Sequence, residues 1–92
     1  MLNPSEGNPL VDHRETAKYT MSVAVMMTGV PAYRIRRFEE YGLFKPARTE
    51  SRQRLYSDTD ITVIREIALL DNEGINLPGI KTILTIKQVG KM

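Results

Sequence analysis

Three consecutive residues, Gly29-Val30-Pro31, limit the folds open to this chain more than any other feature. Glycine has no Cβ and takes the left-handed backbone that closes a helix at little cost. Proline lacks an N–H and holds φ near the helical value, so it opens a helix where that donor has no partner anyway. Apolar residues recur at helical spacing on both sides. Upstream, Met21, Ala24, Val25 and Met27 form the inner face of a first helix that Thr20 or Ser22 can cap. Downstream, Ile35 and Phe38 mark the inner face of a second helix over residues 32–41, which Gly42 ends. Two short helices joined by so tight a turn predict a helix-turn-helix.

The charges then single out one region. From Arg34 to Arg54, seven bases (Arg34, Arg36, Arg37, Lys45, Arg48, Arg52, Arg54) stand against Glu39, Glu40 and Glu50, a local balance of +4. The whole chain carries only +2, so the remainder is net acidic. A small average charge thus conceals one cationic face, which is able to displace counterions from a phosphate backbone.

After Gly42, short β-capable runs at Leu43–Arg48 and Arg54–Tyr56 flank the polar stretch Thr49-Glu50-Ser51-Arg52-Gln53, and predict a small hairpin or wing over residues 45–56. Ser57 or Asp58 caps a third helix reaching Asn72, with Ile61, Ile64, Ile67 and Ala68 inward and Leu70 shared; Glu73-Gly74 stops it. Asn76 caps a fourth helix carrying Leu77, Ile80, Ile83 and Leu84, with Pro78 in its first turn. The expected fold is mainly α: a winged helix-turn-helix of about four helices with a small β-hairpin wing. Residues 19–87 form the domain and residues 88–92 a tail. Residues 1–18 lack apolar periodicity and read as a flexible arm.

Within the second helix, Tyr33, Arg36 and Arg37 share a face while Ile35 and Phe38 turn inward, with Arg34 at the margin. An arginine fork donates two parallel hydrogen bonds to a guanine edge or a phosphate, which lysine does not reproduce. The expected DNA contacts on this helix are therefore Tyr33, Arg36 and Arg37, then Arg34; the bland alternative is a solvated face with pairs such as Arg36–Glu40. In the hairpin, Arg48, Arg52 and Arg54 are placed to grip the DNA backbone. Tyr56 follows, either donating its hydroxyl to a phosphate or serving as a core aromatic.

The remaining candidates favour structure over chemistry. Neighbouring Glu39 and Glu40 point about 100° apart on a helix and do not converge on a substrate; Glu39 is a candidate tether for an arginine. Asp58-Thr59-Asp60 lacks the glycine and terminal glutamate of a calcium loop and suits the positive end of a helix. There is no cysteine, and His13 stands alone in a polar stretch. No catalytic residue, metal site or cofactor is expected. No apolar run approaches the ~20 residues that cross a bilayer and no signal peptide is evident, so the expected location is cytoplasmic, with no membrane partner.

Several separated motifs now combine. Tyr19-Thr-Met-Ser-Val-Ala-Val-Met-Met-Thr-Gly-Val30, Ile35-Arg-Arg-Phe-Glu39, Gly42-Leu43, Arg48-Thr-Glu50 and Arg54-Leu-Tyr-Ser57 resemble, in order and spacing, the N-terminal domain of MerR-family transcription regulators. The segment Glu73-Gly-Ile-Asn-Leu-Pro-Gly-Ile-Lys81 is most similar to the HspR branch of heat-shock repressors, then to the GlnR branch of glutamine-synthetase repressors. The resemblance implies a winged helix-turn-helix, binding to double-stranded DNA as a homodimer, and control of transcription. It also implies a protein corepressor, the chaperone DnaK for the first branch and glutamine synthetase for the second. Three positions depart from the family: Arg37 replaces a usual aromatic, Ser51-Arg52 stands where the wing tip often has glycine, and Val23 and Met26 replace polar residues. Family members pair through a long helix after this domain. The chain stops at Met92 before such a helix develops, which points to a truncated chain or to a minimal member that pairs on DNA, without a C-terminal effector site.

The expected function is a sequence-specific transcriptional repressor that reads an inverted-repeat operator as a dimer, through helix 32–41 and wing 45–56. One alternative is an architectural, excisionase-like protein that assembles along DNA and bends it. The other is an interaction module whose Val23, Met26 and fourth helix bind a chaperone or enzyme.

Overall fold

The computed structural model describes residues 16–90, and within them four helices and three short strands. These are β1 (Ala17–Tyr19), α1 (Met21–Thr28), α2 (Ala32–Glu40), β2 (Ala47–Arg48), β3 (Arg54–Ser57), α3 (Asp58–Asn72) and α4 (Leu77–Gly90). The expected mainly α, winged helix-turn-helix fold is the fold observed.

Local chemistry explains the helix ends. Thr20 caps α1, its Oγ1 accepting from Val23 N, and Gly29 closes it at φ 72°. Pro31 sits at the N-cap of α2, one position before the first helical residue, with φ −62° and ψ 151°. Its side chain has no oxygen to cap with, and Arg34 N and Ile35 N instead meet the Pro31 carbonyl. Tyr41 caps the other end, one residue short of the expected boundary, and Gly42 turns the chain at φ 89°. Ser57 and Asp60 form a reciprocal capping box at α3: Asp60 N donates to Ser57 Oγ (3.0 Å) and Ser57 N donates to Asp60 Oδ2 (2.9 Å). Asn76 Oδ1 accepts from Gly79 N at 2.9 Å and opens α4.

The core lies where the helices meet the sheet. Ala24, Val30, Ile35, Phe38, Leu43, Tyr56, Ile61, Ile64, Ile67, Ala68 and Ile80 are all buried. Every inward position expected on the third helix is among them, as are Ile35 and Phe38 of the second. Removing an aromatic as enclosed as Phe38 costs about 3–5 kcal/mol, because few neighbours are free to refill its volume. Arg65 adds a polar tie, its Nη2 donating to Met27 O (2.7 Å) in the last turn of α1.

The sheet is larger than the hairpin read from the sequence. Its order is β1-β3-β2, with β3 central and antiparallel to both neighbours. Ala17 and Lys18, grouped with the arm on composition, belong to β1, where Ala17 faces Ser57 and Tyr19 faces Tyr56 across a register shift. A three-residue strand has no periodicity to announce it; a partner about 40 residues away in sequence creates it. Residues 1–15 of the expected arm lie outside the described residues. Helix α4 runs to Gly90, past the expected start of the tail.

Candidate nucleic-acid interface

Helix α2 divides its residues by face. Ile35 and Phe38 are fully buried, and that burial turns Tyr33, Arg36 and Arg37 outward, with Tyr33 67% exposed. Among the described residues neither Arg36 nor Arg37 forms an ion pair, and the pair Arg36–Glu40 is not made. Two guanidinium groups and a phenol thus stand on one helix face, the guanidinium groups without an ion-pair partner among the described residues.

Arg34 leaves this face. It is half-buried, stacks over the Phe38 ring at 5.6 Å, and its Nη2 donates to Asp71 Oδ2 (2.9 Å) and Asn72 Oδ1 (3.2 Å) at the end of α3. Arg34, placed at the margin of the expected DNA contacts, forms a strut between α2 and α3. No sequence signal announces its partners, which lie 37 and 38 positions away.

The wing is built around one carboxylate. Arg48 and Arg54 face each other across β2 and β3, and both reach Glu39 on α2. Glu39 Oε2 accepts from Arg48 Nη2 at 3.0 Å and Oε1 from Arg54 Nε at 2.5 Å. The bond to Glu39 raises the Arg54 pKa above its ordinary value, and Arg54 stays charged throughout. The residue expected to tether an arginine holds two. Between the strands, Arg52 N donates to Thr49 O (2.9 Å), Thr49 N to Gln53 O (2.9 Å), and Gln53 N to Thr49 Oγ1 (3.1 Å). Arg52 takes the left-handed conformation at φ 70°, the position where the wing tip often carries glycine. Its carbonyl accepts from Arg48 Nη1 at 3.1 Å, and its side chain is exposed.

Tyr56 does not present its hydroxyl to a backbone. It is fully buried on the inner face of β3, tilted against Phe44 with ring centroids 6.2 Å apart, and its hydroxyl points to Met21 Sδ at 3.7 Å. Burial pushes its pKa up to about 12. The core alternative is the correct one, because the face of β3 that carries Tyr56 closes over α1 and α3.

The structure therefore brings Tyr33, Arg36 and Arg37 together on α2 and exposes Arg52 on the wing. Arg48 lies partly exposed between helix and wing, and Arg34, Arg54 and Tyr56 turn inward. One further cation lies near the end of α2: Lys81 of α4 stands 6.0 Å over the ring of Tyr41. Sequence reading missed it because α4 is distant in the chain. Among the described residues no three His, Cys, Asp or Glu side chains gather as metal ligands, and no helix is long and apolar enough to cross a membrane.

A family model, the MerR HTH family of regulatory proteins, matches residues 19–87. The chain belongs to the MerR family. Heat shock protein HspR of Streptomyces coelicolor is 38% identical over 81 residues, which is 87% of this chain and 54% of that protein. The HTH-type transcriptional regulator GlnR of Bacillus cereus is 34% identical over 77 residues, 84% of this chain and 60% of GlnR. The crystal structure of HiNmlR, a MerR-family regulator lacking the sensor domain and bound to promoter DNA, aligns with a TM-score of 0.71 and 29% identity. That alignment covers 78% of this chain and 55% of HiNmlR. This MerR-family chain thus spans between half and two thirds of the length of these relatives. Both branches indicated by Glu73–Lys81 are among them, and the family is one of regulatory proteins, not of enzymes.

Proposed function

We propose that this chain is a DNA-binding transcriptional repressor that reads an inverted-repeat operator as a homodimer. The observation that carries the reading is the outward face of α2, where Tyr33, Arg36 and Arg37 are exposed and, among the described residues, the two arginines have no ion-pair partner. Buried Ile35 and Phe38 hold that face rigidly outward. Unpaired forks on a rigid helix are suited to read base edges in a major groove, since no internal pair must be broken first. Arg52, exposed on the wing, supplies backbone contacts that set register without reading sequence.

Residues 19–87 are the reading unit in this proposal, and its setting is the bacterial cytoplasm. HiNmlR bound to promoter DNA is the relative that supports the DNA contact, and GlnR as a transcriptional regulator supports the regulatory role. A protein corepressor completes the reading. Met26, 83% exposed, and Val23 beside it on α1 are apolar where a solvated helix face usually is not. The test is selection of sites from random duplex DNA at physiological salt with the 92-residue chain. Recovery of an inverted repeat is expected. Recovery of a single half-site discards the homodimer for this chain, and weak binding with no enriched sequence discards sequence-specific reading.

A further inference from the structure

The carboxylate of Glu39 belongs to the recognition helix, yet both its oxygens are taken by arginines of the wing. Its side chain is only 15% exposed, against 25% for Arg54 and 44% for Arg48. Arg48 is bridged in turn: one nitrogen of its fork holds Glu39 and the other holds the carbonyl of Arg52. A continuous chain of contacts therefore runs from Glu39 through Arg48 to the wing-tip residue. That residue keeps a left-handed backbone, which a non-glycine side chain adopts only when its surroundings impose it.

Two consequences follow from charge and geometry. The tip is fixed relative to the face carrying Tyr33, Arg36 and Arg37, because helix and wing share one clamp. Two of the basic residues flanking the tip are also neutralised locally, leaving Arg52 as the wing arginine with no ion pair among the described residues. We infer that Glu39 is a positioning and specificity-determining residue: it aligns the wing tip with the reading helix and withholds Arg48 and Arg54 from indiscriminate capture of phosphates. This inference rests on the DNA-binding reading above.

The consequence is counter-intuitive, since removing an interaction from the protein strengthens part of its binding. In Glu39→Gln the two arginines lose their anion and become available to any duplex, while the tip loses its alignment. Each phosphate newly neutralised steepens the logarithmic salt dependence by about 0.9.

The experiment compares the wild-type chain and Glu39→Gln on two duplexes of equal length, the site recovered from random DNA and a scrambled version. Affinities are measured across a salt series, with thermal unfolding in parallel. For the folded variant the scrambled duplex is expected to bind tighter with a salt slope steeper by about one to two. The ratio of specific to scrambled affinity is expected to fall on the order of threefold to tenfold, as a misaligned wing forfeits contacts only the correct site rewards. Equal losses on both duplexes with an unchanged slope would reduce Glu39 to a purely structural part and overturn the inference. Where Glu39→Gln does not fold, Glu39→Asp keeps the charge but shortens the reach; the same changes are expected in smaller measure, and proportional losses again overturn the inference. A wild-type chain that binds no duplex sinks the DNA reading and this inference together, whereas wild-type binding with an unmoved variant sinks the inference alone.

Discussion

Arg34 Nη2 lies 2.9 Å from Asp71 Oδ2, so the first base of the cationic run is spent on holding two helices together. Both side chains are less than one-third exposed, and the guanidinium also covers the Phe38 ring. Arg34→Gln leaves Asp71 without its charged partner and is expected to cost about 1 kcal/mol of stability, a modest figure because water still reaches both groups. Urea unfolding checks this through the midpoint. The salt slope of DNA binding is expected to stay as in the wild type; an unmoved midpoint with a shallower slope would return Arg34 to the phosphate contacts.

Arg36 carries the opposite expectation. It is exposed and touches no acid among the described residues, so Arg36→Ala removes little from the fold. Loss of a bidentate base contact is worth about 1–3 kcal/mol of discrimination, or roughly fivefold to 150-fold in affinity for the selected site. Fluorescence anisotropy with specific and scrambled duplexes checks it, alongside a melting curve that should not move. Equal weakening on both duplexes would reassign Arg36 to the backbone.

Tyr56 separates packing from phosphate contact in a single position. Among the described residues its hydroxyl makes one long contact, to Met21 Sδ, so Tyr56→Phe is expected to leave DNA affinity unchanged and stability within about 1 kcal/mol of wild type. Tyr56→Ala empties an enclosed site and should cost about 3–5 kcal/mol. The wild-type phenol also sets an alkaline limit. Its folded pKa of about 12 exceeds the ordinary 10.0, so its contribution to stability is fully present below pH 10.0 and is lost as pH rises through about 12. Thermal melts across that window in wild type and Tyr56→Phe should converge in their pH dependence apart from this loss.

Asp58 sets a limit at the acid end. Tyr19 Oη donates to its Oδ1 at 2.6 Å and Lys18 Nζ lies 3.2 Å from Oδ2, and these partners lower its pKa below the ordinary 3.8, the tyrosine bond most. A lowered folded pKa means stability that is present above pH 3.8 and lost as pH falls below it. Asp58→Asn should flatten that part of the acid melting profile and loosen β1, which shows as faster amide exchange at Tyr19. An unchanged profile would mean that the Lys18–Tyr19–Asp58 cluster does not hold the strand in place.

The helices were legible in the sequence because their causes are local. Gly29, Pro31, Gly42 and Gly74 punctuate them, Thr20, Ser57 and Asn76 cap them, and the isoleucine stripe of α3 repeats at helical spacing within one segment. The outward turn of Tyr33, Arg36 and Arg37 was equally readable, since burial of Ile35 and Phe38 leaves those positions no other side to face. Side chains three or four apart on one helix need only the helix itself to bring them together.

Everything that depended on distant partners was decided by the tertiary structure. Strand β1 exists because β3 offers it an edge. Arg34 is withdrawn by Asp71 and Asn72, and Tyr56 is sealed in by α1 and α3. Arg48 and Arg54 converge on Glu39 through strand register. Six of the seven bases are the same letter, and sequence alone established that they cluster and which helix carries three of them. Which guanidinium groups remain without an internal carboxylate was settled only when the fold placed Glu39 and Asp71 beside some and not others, because Coulomb attraction falls with distance in space, not with separation along the chain.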